Sequence, residues 1–233
     1  GMNLNYFPGI DINENTFALV VNSVTGGTFL GINLLIVLTF PLAAALAYVV
    51  IRMTGLQGAL AIALAVAFAF IPFHWGRALG HTYLSTLYSA IVGLALVLLI
   101  GSGAFERRIT KGANRRWLFI AIVVVMMVTV AWTGVYYVAF TMILGVFAVL
   151  WRFAMRANWR GLVADVLPLI GIGFLALVGF VPSILARGDA PLASLGERMP
   201  FESVTYAGTL AMAILPLPQS ELPRGGYYNE AVM

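Results

Sequence analysis

Phe29-Leu-Gly-Ile-Asn-Leu-Leu-Ile-Val-Leu-Thr-Phe-Pro-Leu-Ala-Ala-Ala-Leu-Ala-Tyr-Val-Val-Ile51 is a run of 23 residues without a single charged side chain. A helix of that length reaches roughly 34 Å at about 1.5 Å per residue. The hydrocarbon core of a bilayer is about 30 Å thick, so this run is long enough to cross it. Pro41 lies inside the run, which a bundle tolerates because neighbouring groups satisfy the freed carbonyl. Outward from this stretch, further apolar runs follow at Leu56–Phe73, Tyr83–Ile100, Trp117–Thr133, Tyr136–Trp151 and Gly161–Val181. The fifth span is short, but Arg152 and Arg156 can snorkel to the interface and extend it to Met155. Ala207–Leu217 is too short to cross, is interrupted by Pro216, and reads as an interfacial or re-entrant helix.

The expected architecture is therefore all-α: a polytopic transmembrane helical bundle of about six spanning helices plus amphipathic outer helices. Residues 1–28 form an extracytoplasmic loop with an amphipathic helix over Thr16–Val24, residues 29–181 the bundle, and residues 182–233 a second extracytoplasmic segment. Composition agrees. Of 233 residues, 61% are hydrophobic and 9% charged, and the mean hydropathy is +0.97. A soluble domain is about a quarter charged, and a disordered chain needs low hydrophobicity and high charge, so both classes are excluded. The absence of cysteine removes disulfide frameworks, thiol nucleophiles and cysteine-ligated metal sites.

The net charge of +4 acquires meaning from its distribution. Arg52, Arg107, Arg108, Lys111, Arg115, Arg116, Arg152, Arg156 and Arg160 fall on one side of the expected spans, against Arg77, Arg187, Arg198 and Arg224 on the other. The positive-inside rule places the first group in the cytoplasm and both ends of the chain outside. Asp11, Glu14, Asp189, Glu197, Glu202, Glu221 and Glu230 also fall outside, with both histidines. The basic surplus thus reports topology, and nucleic acid is not an expected partner. The sequence starts without the positively charged region of a signal peptide. Either Gly1 is foreign to the natural chain or the sequence is an internal piece of a longer protein, and the second is the expectation.

Four polar clusters collect on the outer side. Asn3-Leu-Asn-Tyr-Phe-Pro-Gly-Ile-Asp11-Ile-Asn-Glu14-Asn15 leads into the amphipathic helix, where Asn15 or Thr16 can serve as cap. Asp11 and Glu14 then stand at its positive end, either binding a cation or sugar hydroxyl or forming a solvated turn. Between the second and third spans lies Pro72-Phe-His74-Trp-Gly-Arg77-Ala-Leu-Gly-His81. Arg77 runs against the charge bias and suggests an anionic partner, a phosphate or a carboxylate such as Asp11. His81 can act as acid, base or metal ligand, or both histidines can be structural, hydrogen-bonded in an interface turn. His74 and His81 are seven positions apart, which is not a metal-pair spacing, and no metal site is assigned. Tyr136 and Tyr137 sit in the turn after Gly134, as interfacial anchors or as sugar-stacking groups. In the outer tail, Arg198 and Glu202 are spaced as a helical pair, and Arg198 can bind an anion. Motifs for nucleotide loops, serine hydrolases and zinc proteases are absent. No span is expected to carry a buried carboxylate, because Asp165 near the end of the sixth span can reach water or Arg160.

The series Asn33-Leu-Leu, Phe40-Pro41-Leu, Ala47-Tyr48, Arg52-Met-Thr-Gly55-Leu and Phe70-Ile-Pro72-Phe-His74, then Arg77, Gly80-His81 and Leu84-Ser, resembles a pattern in large bacterial membrane proteins. Gly134-Val-Tyr136-Tyr137-Val-Ala-Phe, Arg198-Met-Pro-Phe-Glu202, Tyr206 and Leu215-Pro216 fit the same group. These are polytopic glycosyltransferases of the GT-C type, the class that includes protein mannosyltransferases and lipid-linked arabinosyltransferases. The resemblance covers nearly the whole chain through loose motifs. It implies a bundle in the bacterial plasma membrane with its active site at the extracytoplasmic face, taking a sugar from a polyprenyl-phosphate donor.

Such a transfer needs a carboxylate to deprotonate the acceptor hydroxyl and a cation to stabilise the departing phosphate. On this reading Asp11 and His81 are the expected catalytic residues. Glu14, His74, Arg77, Tyr136, Tyr137, Arg198 and Glu202 are the expected substrate-binding ones. The cofactor is unassigned, a divalent cation being the candidate. The partners are membrane lipids, the lipid-linked sugar donor and the remaining parts of the same protein. The family's catalytic acid lies directly after its first transmembrane helix, a helix that this sequence does not contain. The competing readings are a transporter or flippase of a lipid-linked or anionic substrate, and a non-catalytic membrane scaffold.

Overall fold

The computed structural model describes residues 11–27, 29–80, 85–110, 116–156 and 159–187. All regular structure among them is helical: α1 (Ile12–Thr25), α2 (Leu30–Met53), α3 (Gly58–Ala69), α4 (Pro72–Gly80), α5 (Leu87–Ser102), α6 (Ala104–Thr110), α7 (Arg116–Ala131), α8 (Val135–Arg156) and α9 (Trp159–Arg187). The expected helix at Ala207–Leu217 lies outside the described residues.

Among the described residues, four segments are long and apolar enough to cross a membrane: Leu30–Met53, Gly58–Ala78, Val135–Met155 and Trp159–Val181. The second joins α3 and α4 across a break at Phe70–Ile71. Pro72 explains the break, since it offers no N–H and disfavours helical geometry in the residue before it. Helices α5 and α7 are equally apolar, but each has 16 residues and reaches only about 24 Å. The described helices therefore comprise four segments of spanning length, the two shorter apolar helices α5 and α7, and the short helices α1 and α6. The chain reads as a multi-pass membrane protein.

Helix α5 occupies the centre, touching α2, α6, α7 and α8. Its Val92, Leu96 and Ile100 pack with Phe105, Val123, Val130, Leu169 and Ile172 in one core cluster. A second cluster is built mostly of alanine: Ala43, Ala47, Ala65, Ala69 and Ala95, with Val50 and Ile91. The buried residues of α3 are Ala61, Ala65 and Ala69, one every fourth position and hence one stripe of the helix. Lipid tails are as apolar as leucine, so helices in a membrane gain little from burying large side chains. Small residues let the backbones approach and collect dispersion contacts instead. The opposite face of α3 carries exposed Leu60, Ile62, Leu64, Val66 and Phe68, and α8 exposes Phe140, Ile143, Phe147 and Trp151. Such continuous apolar surface suits hydrocarbon and not water.

Alternating helices give the bundle two ends. The acidic end gathers the starts of α1, α2, α5 and α8 with the end of α7. The basic end gathers Arg52, Arg107, Arg108, Arg116 and Arg160. Helix α1 begins at Ile12, directly after Asp11, several residues earlier than the amphipathic pattern indicates, so neither Asn15 nor Thr16 caps it.

The basic end also corrects two expectations. Arg152 does not snorkel: it is 6% exposed and ion-paired with Glu106 of α6 and Asp165 of α9. Asp165, expected to face water or Arg160, is 2% exposed and accepts a hydrogen bond from Arg152 at 2.5 Å. The cause is α6, which turns back after Gly103 and brings Glu106 beneath α8. Gly103 leaves room for the guanidinium and Gly161 for the Glu106 carboxylate, since a Cβ on the one would lie 2.6 Å from the guanidinium carbon and on the other 3.0 Å from Glu106 Oε2. A buried carboxylate thus does lie within a span.

Candidate functional site

The site at the acidic end starts from a problem every helix has: its last carbonyls lack intrahelical partners. At the end of α7, Asn13 supplies them. Its backbone N–H donates to the Trp132 carbonyl at 3.1 Å. Its side-chain amide reaches the Thr133 hydroxyl at 3.0 Å and the Val128 and Thr129 carbonyls at 3.4 Å. The first turn of α1 is thereby docked on the turn between α7 and α8. The helix's other half rests on α2, where Asn22 accepts the Gly31 N–H at 2.8 Å. The backbones approach so closely there that a Cβ on Gly31 would lie 2.5 Å from the Ala18 carbonyl oxygen.

Docking buries Glu14, which is 1% exposed. The Tyr88 hydroxyl of α5 donates to Glu14 Oε1 at 2.6 Å. The other carboxyl oxygen is buried without a hydrogen-bond partner among the described residues. Burial pushes the Glu14 carboxyl up to about 7, against the opposing hydrogen bond from Tyr88. Asp11 stands just before α1, half-buried, and desolvation raises it too. Its negative charge adds to the upward shift of Glu14.

Asp11 packs over the α7–α8 turn, with its Oδ1 3.5 Å from where a Cβ of Gly134 would stand. Gly134 has φ +144, a backbone region that side chains rarely adopt, so the turn requires glycine. Three residues on, buried Tyr137 hydrogen-bonds Thr86 and lies within electrostatic reach of Glu14, Arg77 and Asp11. The Arg77 guanidinium itself sits over the Phe73 ring, 5.2 Å from its centroid. Ser85, Thr86, Ser89 and Thr133, all fully buried, surround this group, and the Ser89 hydroxyl has no partner among the described residues.

Of the residues singled out in the sequence, Asp11, Glu14, Arg77 and Tyr137 come together. Tyr136 is 45% exposed beside them. His74 is held in the packing between helices. It is fully buried and stacked on Phe40 at 4.1 Å between centroids. A carbonyl can only accept, so Nδ1–H donates to Ala69 at 2.6 Å and Nε2 meets the Thr39 hydroxyl at 3.1 Å. Through Nδ1 the ring ties α4 to the end of α3, and through Nε2 to α2. His81, Arg198 and Glu202 lie outside the described residues.

Asn13, Tyr88 and Thr133 join the site without having been singled out. The one local sign of their role is polar density, Ser85-Thr86-Leu-Tyr88-Ser89, at the start of an otherwise apolar helix. Among the described residues, no group of three or more histidine, cysteine, aspartate or glutamate side chains is placed to hold a metal. The arrangement can store a proton near neutral pH, accept another at Asp11, and present one guanidinium to an anion.

No protein-family model, no curated protein and no solved structure matches this chain.

Proposed function

We propose that the chain is part of a membrane-embedded transferase of the GT-C kind, moving a sugar from a polyprenyl-phosphate donor to an acceptor hydroxyl at the acidic end of the bundle. The observation that supports it is the convergence of Asp11 and Glu14 from the start of α1, Arg77 from α4 and Tyr137 from α8. In this reading the acceptor oxygen attacks the anomeric carbon as the bond to the phosphate breaks. The polyprenyl phosphate leaves with the bonding electron pair, and the hydroxyl proton passes to a carboxylate. Asp11 takes that proton, because it is half-buried at the edge of the cluster and raised toward the working pH by desolvation. Glu14, sealed behind it, keeps a neutral carboxyl in place, and Arg77 meets the departing phosphate. Tyr137 lines the sugar side. The charge bias of the loops supports an orientation with this end outside the cytoplasm, and in this reading α5 and α7 bring the spans to six. The bacterial plasma membrane follows from the sequence resemblance alone.

The test is sugar transfer from polyprenyl-phosphate donors by the full chain in lipid nanodiscs. Asp11→Asn is expected to reduce turnover by about 10²-fold or more, and Arg77→Gln to raise the KM for donor. Transfer by Asp11→Asn at the unaltered rate would sink the proposal.

A second reading, transport of an anionic or lipid-linked substrate, is favoured by the buried Arg152–Asp165–Glu106 group inside the spans. It predicts that Asp165→Asn stops flux into vesicles while Asp11→Asn leaves flux intact.

A further inference from the structure

A cleft of about 500 Å³ opens on the flank of the bundle toward the basic end. Leu46, Val49, Val50 and Met53 of α2 form one wall, Phe119, Ile122 and Met126 of α7 the other, and Ile91, Val92, Ala95 and Leu99 of α5 the floor. Helix α6 closes it at the basic end with Ala104, Arg107 and Arg108. The lining is thus apolar along its length; among the described residues its charges are two arginines at one end, and no carboxylate lines it.

The direction of the three helices sets its course. Leu46 to Met53, Ile91 to Leu99 and Met126 to Phe119 all run from mid-bundle to the basic end. Ile91 to Leu99 spans eight residues of helix, about 12 Å, against about 15 Å for one leaflet of a 30 Å hydrocarbon core. The cleft therefore matches one leaflet in depth and places its arginines at headgroup level. Their poses suit an anion there. Arg107 anchors one guanidinium nitrogen on the Ser102 carbonyl at 2.5 Å, and Arg108 lies over the Phe119 ring at 6.0 Å. Both side chains remain exposed, and the planar guanidinium binds phosphate oxygens two at a time.

We propose that this cleft is a binding site for an anionic glycerophospholipid. One acyl chain lies between α2 and α7 on the α5 floor, and the phosphate is held by Arg107 and Arg108. Such a lipid completes the wall that α2 and α7 leave open. The site is separate from the acidic end and stands whether or not the transferase reading does.

Native mass spectrometry of the delipidated full chain tests it, titrating phosphatidylglycerol and phosphatidylcholine with identical acyl chains. Phosphatidylglycerol is expected to bind at about tenfold lower concentration than phosphatidylcholine, and millimolar inorganic phosphate not to displace it. Arg107→Gln/Arg108→Gln removes the preference between headgroups. Ala95→Phe, which fills the floor, weakens both lipids while the arginines remain. Equal binding of the two lipids by the unaltered chain, or a preference that survives in the double glutamine variant, overturns the proposal. So does undiminished binding by Ala95→Phe. If the double variant fails to fold, the Ala95→Phe variant and the displacement by phosphate decide the matter.

Discussion

Glu14 releases its proton near pH 7, and α1 is the first element to feel the loss. Its carboxyl is raised from an ordinary 4.5 to about 7 in the folded chain, so the folded form holds a proton that the unfolded form has lost. The stability this contributes is fully present below about pH 4.5 and disappears as pH rises through 7, up to about 3 kcal/mol in all. Thermal unfolding in detergent is therefore expected to move to lower temperature between about pH 5 and pH 8. Glu14→Gln, permanently neutral, should flatten that dependence. A midpoint that stays constant in the unaltered chain would contradict the assignment. Tyr88→Phe strips the carboxyl of the hydrogen bond from the Tyr88 hydroxyl and should cost about 1–3 kcal/mol. Since that hydrogen bond holds the Glu14 value down, its removal should also carry the pH midpoint upward. None of this was visible around Glu14 itself. The local sequence shows a carboxylate near a helix start, for which solvent is the ordinary setting. Its burial depends on Tyr88, 74 residues away, and no periodicity encodes that pairing.

Helices were more legible than their contacts. The run Phe29–Ile51 became Leu30–Met53, and the Tyr136 run, extended to Met155, became Val135–Arg156, because continuous hydropathy marks a helix that lipid or other helices surround. The start of α1 was not legible. Asn13, Glu14 and Asn15 read as loop residues, yet Asn13 is used on the end of α7 and Glu14 on Tyr88, which makes polar residues suitable for the first turn. The contact of α1 with α2 depends on Gly31. Gly31→Leu should push α1 away, since even a Cβ meets the Ala18 backbone at 2.5–2.6 Å. Overpacking of this kind costs about 1–3 kcal/mol, and faster proteolysis within residues 12–25 of the detergent-solubilised chain would report it. Ala65→Leu should likewise wedge α3 from α2, because the stripe Ala61–Ala65–Ala69 has no space for a longer side chain. Unchanged cross-linking between the two helices would argue against that account.

Across the whole molecule, the two ends are held by opposite means: neutral hydrogen bonds around Glu14 at one, a charged group around Arg152 at the other. Arg152 read as an interfacial anchor because it stands near the end of an apolar run. Only the return of α6, set by the Gly103 turn, puts Glu106 beside it. Removing one partner of a buried ion pair leaves the others uncompensated, at about 3–5 kcal/mol. Arg152→Met should therefore lower the melting temperature sharply, and the triple change Arg152→Met/Glu106→Gln/Asp165→Asn should recover much of the loss. If the triple variant melts no higher than the single one, the three residues do not act together. The bond from Asn13 to Thr133 has a consequence for how the protein is made. Its two residues are 120 positions apart, so at about 5–20 residues per second the ribosome needs roughly 6–24 s to deliver the second after the first. Until Thr133 is delivered, α1 cannot dock on the turn between α7 and α8, so the burial that raises the Glu14 carboxyl, and the proton uptake that burial favours, comes late in the birth of the molecule.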